Sequence, residues 1–114
     1  VIILIPFVLS LSKDTNTFKK NIIKPFFIYI LECNDGSYYV GHTDDIEKRI
    51  SEHEQGKISS YTKTRLPVKS VYIQDFMTRD EAINAERQVK GWSRKKKIAL
   101  INNDWEEIKR LANK

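Results

Sequence analysis

The chain has a single cysteine, Cys33, in 114 residues. No internal disulfide can staple it, and no Cys/His cluster has zinc-site spacing. A reduced, cytoplasmic setting fits that composition. Long apolar runs are also scarce. The stretch "VIILIPFVLSL" covers residues 1–11 and contains Pro6, well short of the about 20 residues that cross a bilayer. It lacks the basic start and small-residue cleavage site of a secretory signal. Internal repeats, low-complexity linkers and heptads are missing, as is anything resembling a zinc finger or helix-turn-helix. The only methionine is Met77, so the chain starts at Val1 without an initiator. Residues 1–24 are therefore expected to be a disordered extension or a misassigned start. The core then comes from about ninety residues, too few to enclose a large cavity.

What is abundant is positive charge. The formal net charge is +5 and the sequence pI about 9.3, a balance that favours an anionic partner such as nucleic acid. Its distribution is more telling. Lys57, Lys63, Arg65 and Lys69 fill one segment without an acid. Arg87, Lys90, Arg94, Lys95, Lys96 and Lys97 fill a second. Between residues 44 and 54 stand five acids against Lys48 and Arg49. Two basic segments around a mixed helix suit a phosphate-binding cleft. Ordinary solvated helix lysines are the competing explanation.

The pattern of apolar residues predicts β-β-α-β-α-α, an α/β (α+β) fold in which a small three-stranded antiparallel sheet is flanked by helices. Residues 26–33 are apolar on both faces, as in a strand covered on both sides. "YYVGHT" resumes after a turn as the second strand. Asp44 or Asp45 caps a helix running to about Gln55, "GKISSYTKTRLP" is a polar, basic loop, and "VKSVYIQDF" is the third strand. "TRDE" at 78–81 is a capping box that opens a helix to about Gly91. Ser93 and Asp104 cap two further short helices. The main domain is expected over 25–102, with a C-terminal helix over 103–114.

Turn geometry decides whether the hairpin tyrosines can cooperate. A two-residue Asp35-Gly36 turn would set Tyr29 opposite His42 and put Tyr29 and Tyr39 on different faces. A three-residue loop with Gly36 in the left-handed region pairs Cys33 with Ser37, Leu31 with Tyr39 and Tyr29 with Gly41, so the two tyrosines share a face. The second is favoured because glycine supplies the positive φ without strain. Tyr38 then faces the other way, toward packing.

Three helical residues stand out. On the first helix, Arg49 and His53 lie beside the Ile46/Ile50 stripe, at the edge of the core. Arg49 can fork onto a phosphate or pair with Asp45 one turn earlier. On the second helix, Glu86 falls among Ala82, Ala85 and Val89, on the inward face. A carboxylate there must be neutralised, paired or metal-bound. Mg²⁺, which keeps several waters, suits a single carboxylate; a salt bridge to Arg49 is the alternative.

These pieces together resemble the GIY-YIG nuclease superfamily, particularly its small single-domain bacterial members similar to the amino-terminal nuclease domain of UvrC. Phe27-Ile28-Tyr29 stands for the first motif and Tyr39-Val40-Gly41 for the second. Arg49 follows at the family spacing, His53 completes R-x-x-x-H, and Glu86 lies in "NAERQVKGW". Phe27 replaces the first motif glycine, and Ile98 stands about where many members carry an asparagine. The resemblance implies a DNA endonuclease using Mg²⁺ or Mn²⁺, with a setting in DNA repair or recombination. It also implies a metal on Glu86, a motif tyrosine as general base with Tyr29 first, Tyr39 hydrogen-bonding within the site, Arg49 on the scissile phosphate and His53 orienting it or the water. His42 either assists there or is an exposed strand-end residue. A phenol of pKa about 10 would have to be lowered by Arg49, His42 and the metal to act near neutral pH. DNA would be gripped by Lys57, Lys63, Arg65, Lys90, Arg94, Lys95, Lys96 and Lys97. A noncatalytic nucleic-acid-binding module on the same scaffold is the alternative.

Overall fold

The computed structural model describes residues 24–112, so nearly all of the extension expected over 1–24 lies outside the described residues. Three strands, β1 (Phe26–Glu32), β2 (Tyr38–Thr43) and β3 (Lys69–Phe76), form one antiparallel sheet in the order β2-β1-β3. Helices α1 (Ile46–Glu54) and α2 (Ser60–Lys63) follow β2. Helices α3 (Arg79–Lys90), α4 (Arg94–Ile101) and α5 (Trp105–Ala112) follow β3.

β1 is central because its side chains are apolar on both faces. Ile28 and Ile30 face one way, with Val40 of β2. They pack against Ala82, Ala85 and Val89 of α3, Ala99 and Leu100 of α4, and Ile108 of α5. The small alanines let α3 lie close to the sheet. Tyr29, Leu31 and Cys33 face the other way, against Val68 with Ile46 and Ile50 of α1. Burying these apolar groups stabilises the fold by about 25 cal/mol per Å² removed from water.

The hairpin turn takes the three-residue form. Gly36 has φ +86, the Cys33 amide donates to Ser37 O at 2.8 Å, and Asp35 Oδ1 accepts from the Ser37 amide at 3.0 Å. Register follows: Leu31 opposes Tyr39 and Tyr29 opposes Gly41. Asp45, not Asp44, caps α1 through the Lys48 amide. Thr78 and Glu81 form the expected capping box of α3.

The segment read as a polar loop contains α2. Ser59 caps it by accepting from the Tyr61 and Thr62 amides. One turn of helix is too short to show a period in sequence, and its stability comes from what Thr62 and Arg65 touch rather than from propensity.

Candidate active site

Tyr29 is where the site begins. Its backbone opposes Gly41, and its ring lies over that residue: a Cβ built on Gly41 would sit 2.5 Å from the Tyr29 hydroxyl and 2.7 Å from Cζ. The missing side chain lets the phenol cross edge strand β2. Glycine is needed here for close approach, not for unusual φ.

Around that hydroxyl the structure gathers residues from three other elements. His53, at the end of α1, is fully buried and its Nε2 lies 3.0 Å from Tyr29 Oη. Its Nδ1 is 2.9 Å from Thr62 Oγ1 of α2. Tyr39 of β2 packs its ring 5.0 Å from the His53 ring and 6.4 Å from Tyr29. Tyr61 extends the aromatic wall, 6.2 Å from Tyr39. Arg49, one helical turn before His53, is beside the Tyr29 oxygen. Its Nη1 donates to the His42 carbonyl at 3.4 Å, and its Nε is 3.6 Å from Glu52. Neither Asp45 nor Glu86 is its ion-pair partner, since Asp45 spends its side chain on the α1 cap.

Glu86 and His42 lie on the other side of β2. His42 opposes Ile28 and so points toward α3, where its Nδ1 bonds Glu86 Oε1. Glu86 Oε2 is 2.7 Å from Lys90 Nζ. Lys90, expected on DNA, is thus a carboxylate partner one turn along α3. The two halves meet electrostatically around the β2 edge: the Glu86 charge reaches Tyr29, and the Tyr39 oxygen reaches Lys90.

The titration behaviour follows from burial and neighbours. Burial pushes Tyr29 up to about 12, against the pull of Arg49 beside it. The lowering expected from Arg49 is outweighed, because removing the phenol from water counts for more than one guanidinium. His53 is held below the ordinary imidazole value, by burial first and the Arg49 charge second, so it is neutral at pH 7. Burial would raise the Glu86 carboxyl, but hydrogen bonds from Lys90 and His42 prevail and hold it below the usual range. Glu86 is ionised and only 12 % exposed.

A divalent ion fits Glu86 by donor chemistry. The group is an ionised oxygen ligand at the edge of β2. Among the described residues no cluster of three His, Cys, Asp or Glu side chains competes with it as a metal site. An ion held there would keep mostly water in its shell, as Mg²⁺ does.

The predicted basic residues divide. Arg65 is tied to Asp35 at 2.9 Å, to the Tyr61 carbonyl at 2.9 Å and over the Tyr61 ring at 3.8 Å. Arg94 donates to Gly36 O at 2.8 Å and lies over Tyr38. Lys96 covers Trp92, and Lys95 neighbours Glu107. Lys57 and Lys63 stand exposed, with no ion pair among the described residues. Lys97 is half-buried at the α4 start. Both basic segments nonetheless converge on the β1–β2 turn, one from each face of the sheet. Sequence reasoning missed Thr62 and Tyr61; the only signal was Ser59 standing as a cap before "SYTK".

Two strand tyrosines, a buried histidine and an arginine on one side of an edge strand, with a glutamate reaching the same edge from the other, form one cluster in a small α+β domain. Residues 25–99 match the model of the GIY-YIG catalytic domain. The chain belongs to that family, which is one of nucleases. It is 49 % identical over 76 residues to a UPF0213 protein of Staphylococcus saprophyticus, covering 67 % of this chain and 93 % of that one. A UPF0213 protein of Listeria welshimeri is 51 % identical over 75 residues, covering 66 % and 83 %. The solution NMR structure of protein EF2693 from E. faecalis shares 36 % identity, with a TM-score of 0.51 over 70 % of this chain and 85 % of that one. No helix among the described residues is long and apolar enough to cross a membrane.

Proposed function

We propose that this protein is a cytoplasmic, divalent-metal-dependent DNA endonuclease that hydrolyses phosphodiester bonds in DNA repair or recombination, as a UvrC-like nuclease domain would. The observation that carries the reading is the gathering of Tyr29, Tyr39, Arg49 and His53 on one side of Gly41 and of Glu86 on the other.

Phosphodiester hydrolysis needs a water nucleophile, a place for its proton and stabilisation of charge on the phosphate oxygens. Arg49 is at the edge of the core with its guanidinium toward the Tyr29 oxygen, placed to hold a nonbridging oxygen. A phenol at about 12 is not a free phenolate at neutral pH. It can still pass a proton: as Tyr29 Oη takes one from the attacking water, it releases its own to neutral His53 Nε2, 3.0 Å away. His53 is then the terminal acceptor and Tyr29 the group that touches the water. Tyr39 walls the pair from solvent. A Mg²⁺ or Mn²⁺ ion on Glu86 would supply Lewis-acid stabilisation of developing oxygen charge. Lys57 and Lys63, with the α4 bases, give the phosphate backbone a salt-dependent grip.

The binding-module alternative has one observation in its favour, that both Glu86 oxygens are already engaged by His42 and Lys90. Incubating supercoiled plasmid and branched or flapped DNA with Mg²⁺, Mn²⁺ or EDTA separates the two. Cutting that needs metal and is lost in Glu86→Ala is expected; salt-sensitive binding without cutting under any metal condition would establish the module instead.

A further inference from the structure

We infer that Thr62 is a positioning residue that sets the tautomer of His53, keeping Nδ1 protonated and Nε2 free to receive the Tyr29 proton. Its catalytic consequence rests on the nuclease reading above, whereas the tautomer itself does not.

Hydrogen counting leads there. The Thr62 hydroxyl has one hydrogen and two lone pairs. With its hydrogen directed to the Ser59 carbonyl, 3.4 Å away, it accepts from His53 Nδ1 at 2.9 Å. Nδ1 therefore carries the hydrogen. A neutral imidazole has only one, so Nε2 offers a lone pair to Tyr29 Oη. Each group in the chain from the Ser59 carbonyl through the Thr62 hydroxyl and His53 to Tyr29 then has a consistent role. Thr62 and His53 are both fully buried, so water does not offer Nδ1 an easy substitute.

The groups around the imidazole reinforce this choice. Tyr29 comes from β1, Tyr39 from β2, Arg49 and Glu52 from α1 and Thr62 from α2. Among the described residues, Thr62 alone bonds Nδ1. Arg49 lies beside the Tyr29 oxygen, and a cation there favours turning that oxygen's lone pairs toward it and its hydrogen toward Nε2.

Thr62 does not owe its place to a long helix. Ser59 Oγ accepts from the Thr62 amide at 3.4 Å. The Thr62 carbonyl accepts from the Arg65 amide at 2.9 Å. Arg65 is anchored to the hairpin, because its Nε bonds Asp35 and its carbonyl accepts from the Asn34 amide at 2.8 Å. The basic loop is thus a brace between the β1–β2 turn and the histidine. Arg65, expected on DNA, holds the brace.

The test is ¹⁵N NMR of the His53 imidazole in full-length wild type, Thr62→Val, Thr62→Ala and Thr62→Ser, with DNA cleavage measured in parallel. Wild type and Thr62→Ser are expected to show protonated Nδ1 and bare Nε2. Thr62→Val and Thr62→Ala should move the tautomer ratio roughly tenfold or more toward protonated Nε2, since the buried Nδ1–H loses its acceptor. Their cleavage should fall about 10- to 100-fold, as when a functional histidine loses its orienting partner, and serine should restore it. Should the valine variant not fold, the smaller alanine carries the same expectation. Protonated Nε2 in wild type, or an unchanged tautomer in either variant, would overturn the inference. Failure of wild type to cut any DNA would count against the nuclease reading, and the spectra would still decide the role of Thr62.

Discussion

Adding a single methyl group at Gly41 probes the packing on which the whole site depends. A Cβ there would lie 2.5 Å from the Tyr29 hydroxyl and 2.7 Å from Cζ, distances that real contacts do not tolerate. Tyr29 cannot swing aside cheaply, because it is 1 % exposed and hydrogen-bonded to His53. Overpacking of this kind costs about 1–3 kcal/mol, and a lost buried hydrogen bond adds about 0.5–1.5 kcal/mol. Gly41→Ala should therefore destabilise the fold by about 2–4 kcal/mol, lowering Tm by roughly 10–25 °C for a domain of this size. Urea and thermal unfolding followed by circular dichroism would read this directly. The cause is isolated by a double-mutant cycle with Tyr29→Leu, which removes the atoms in conflict. In the leucine background the alanine should cost less than about 1 kcal/mol. A Gly41→Ala protein as stable as wild type, or the same penalty in both backgrounds, would refute the idea that Tyr29 occupies the space over Gly41.

Three other perturbations follow from the same structure. Burial raises both Tyr29 and Tyr72 to about 12, so two of the five tyrosines should resist ionisation in an alkaline ultraviolet titration. Their stabilising contribution is complete below pH 10 and lost as pH rises from 10 toward 12; five tyrosines titrating together near 10 in a folded chain would contradict it. At acid pH the sign reverses, because His53 is depressed when folded and the unfolded chain binds a proton that the native one refuses. Stability should fall as pH drops through about 6.5, then level off below the folded value; chemical denaturation at stepped pH should show this slope reduced in His53→Gln. Finally, replacing Lys57 and Lys63 by alanine should make the log affinity versus log salt slope for duplex DNA shallower by about 1.8. An unchanged slope in fluorescence-anisotropy titrations would remove the α2 face from the DNA path.

Much of this arrangement is legible in the sequence because it is encoded locally. "CNDGS" specifies its own turn: Gly36 accepts positive φ and Asp35 closes the loop onto Ser37. Register then follows by counting, and with it the shared face of Tyr29 and Tyr39. The inward position of Glu86 among Ala82, Ala85 and Val89 is likewise a matter of helical period. Long-range pairing is harder to read. Nothing in the order of residues says that Glu86 would choose His42 and Lys90 over Arg49, since that depends on which side of β2 each reaches. The burial of the Tyr29 phenol is hidden for a related reason: spacing reveals the arginine nearby but not the depth of burial that outweighs it. Arg65 and Arg94 looked like DNA contacts by charge alone, while in the fold they grip the hairpin turn from opposite faces. Thr62 was invisible because one turn of helix leaves no period.

The most direct test of the central claim, that Tyr29 and Glu86 serve one reaction from opposite sides of β2, is single-turnover cleavage by Tyr29→Phe, Glu86→Ala and the double variant. Residues acting as a unit are not additive. Each single variant should lose most metal-dependent cutting, and the double should be no slower than the slower single. Undiminished cutting by either single variant, or losses that multiply in the double, would contradict a shared site.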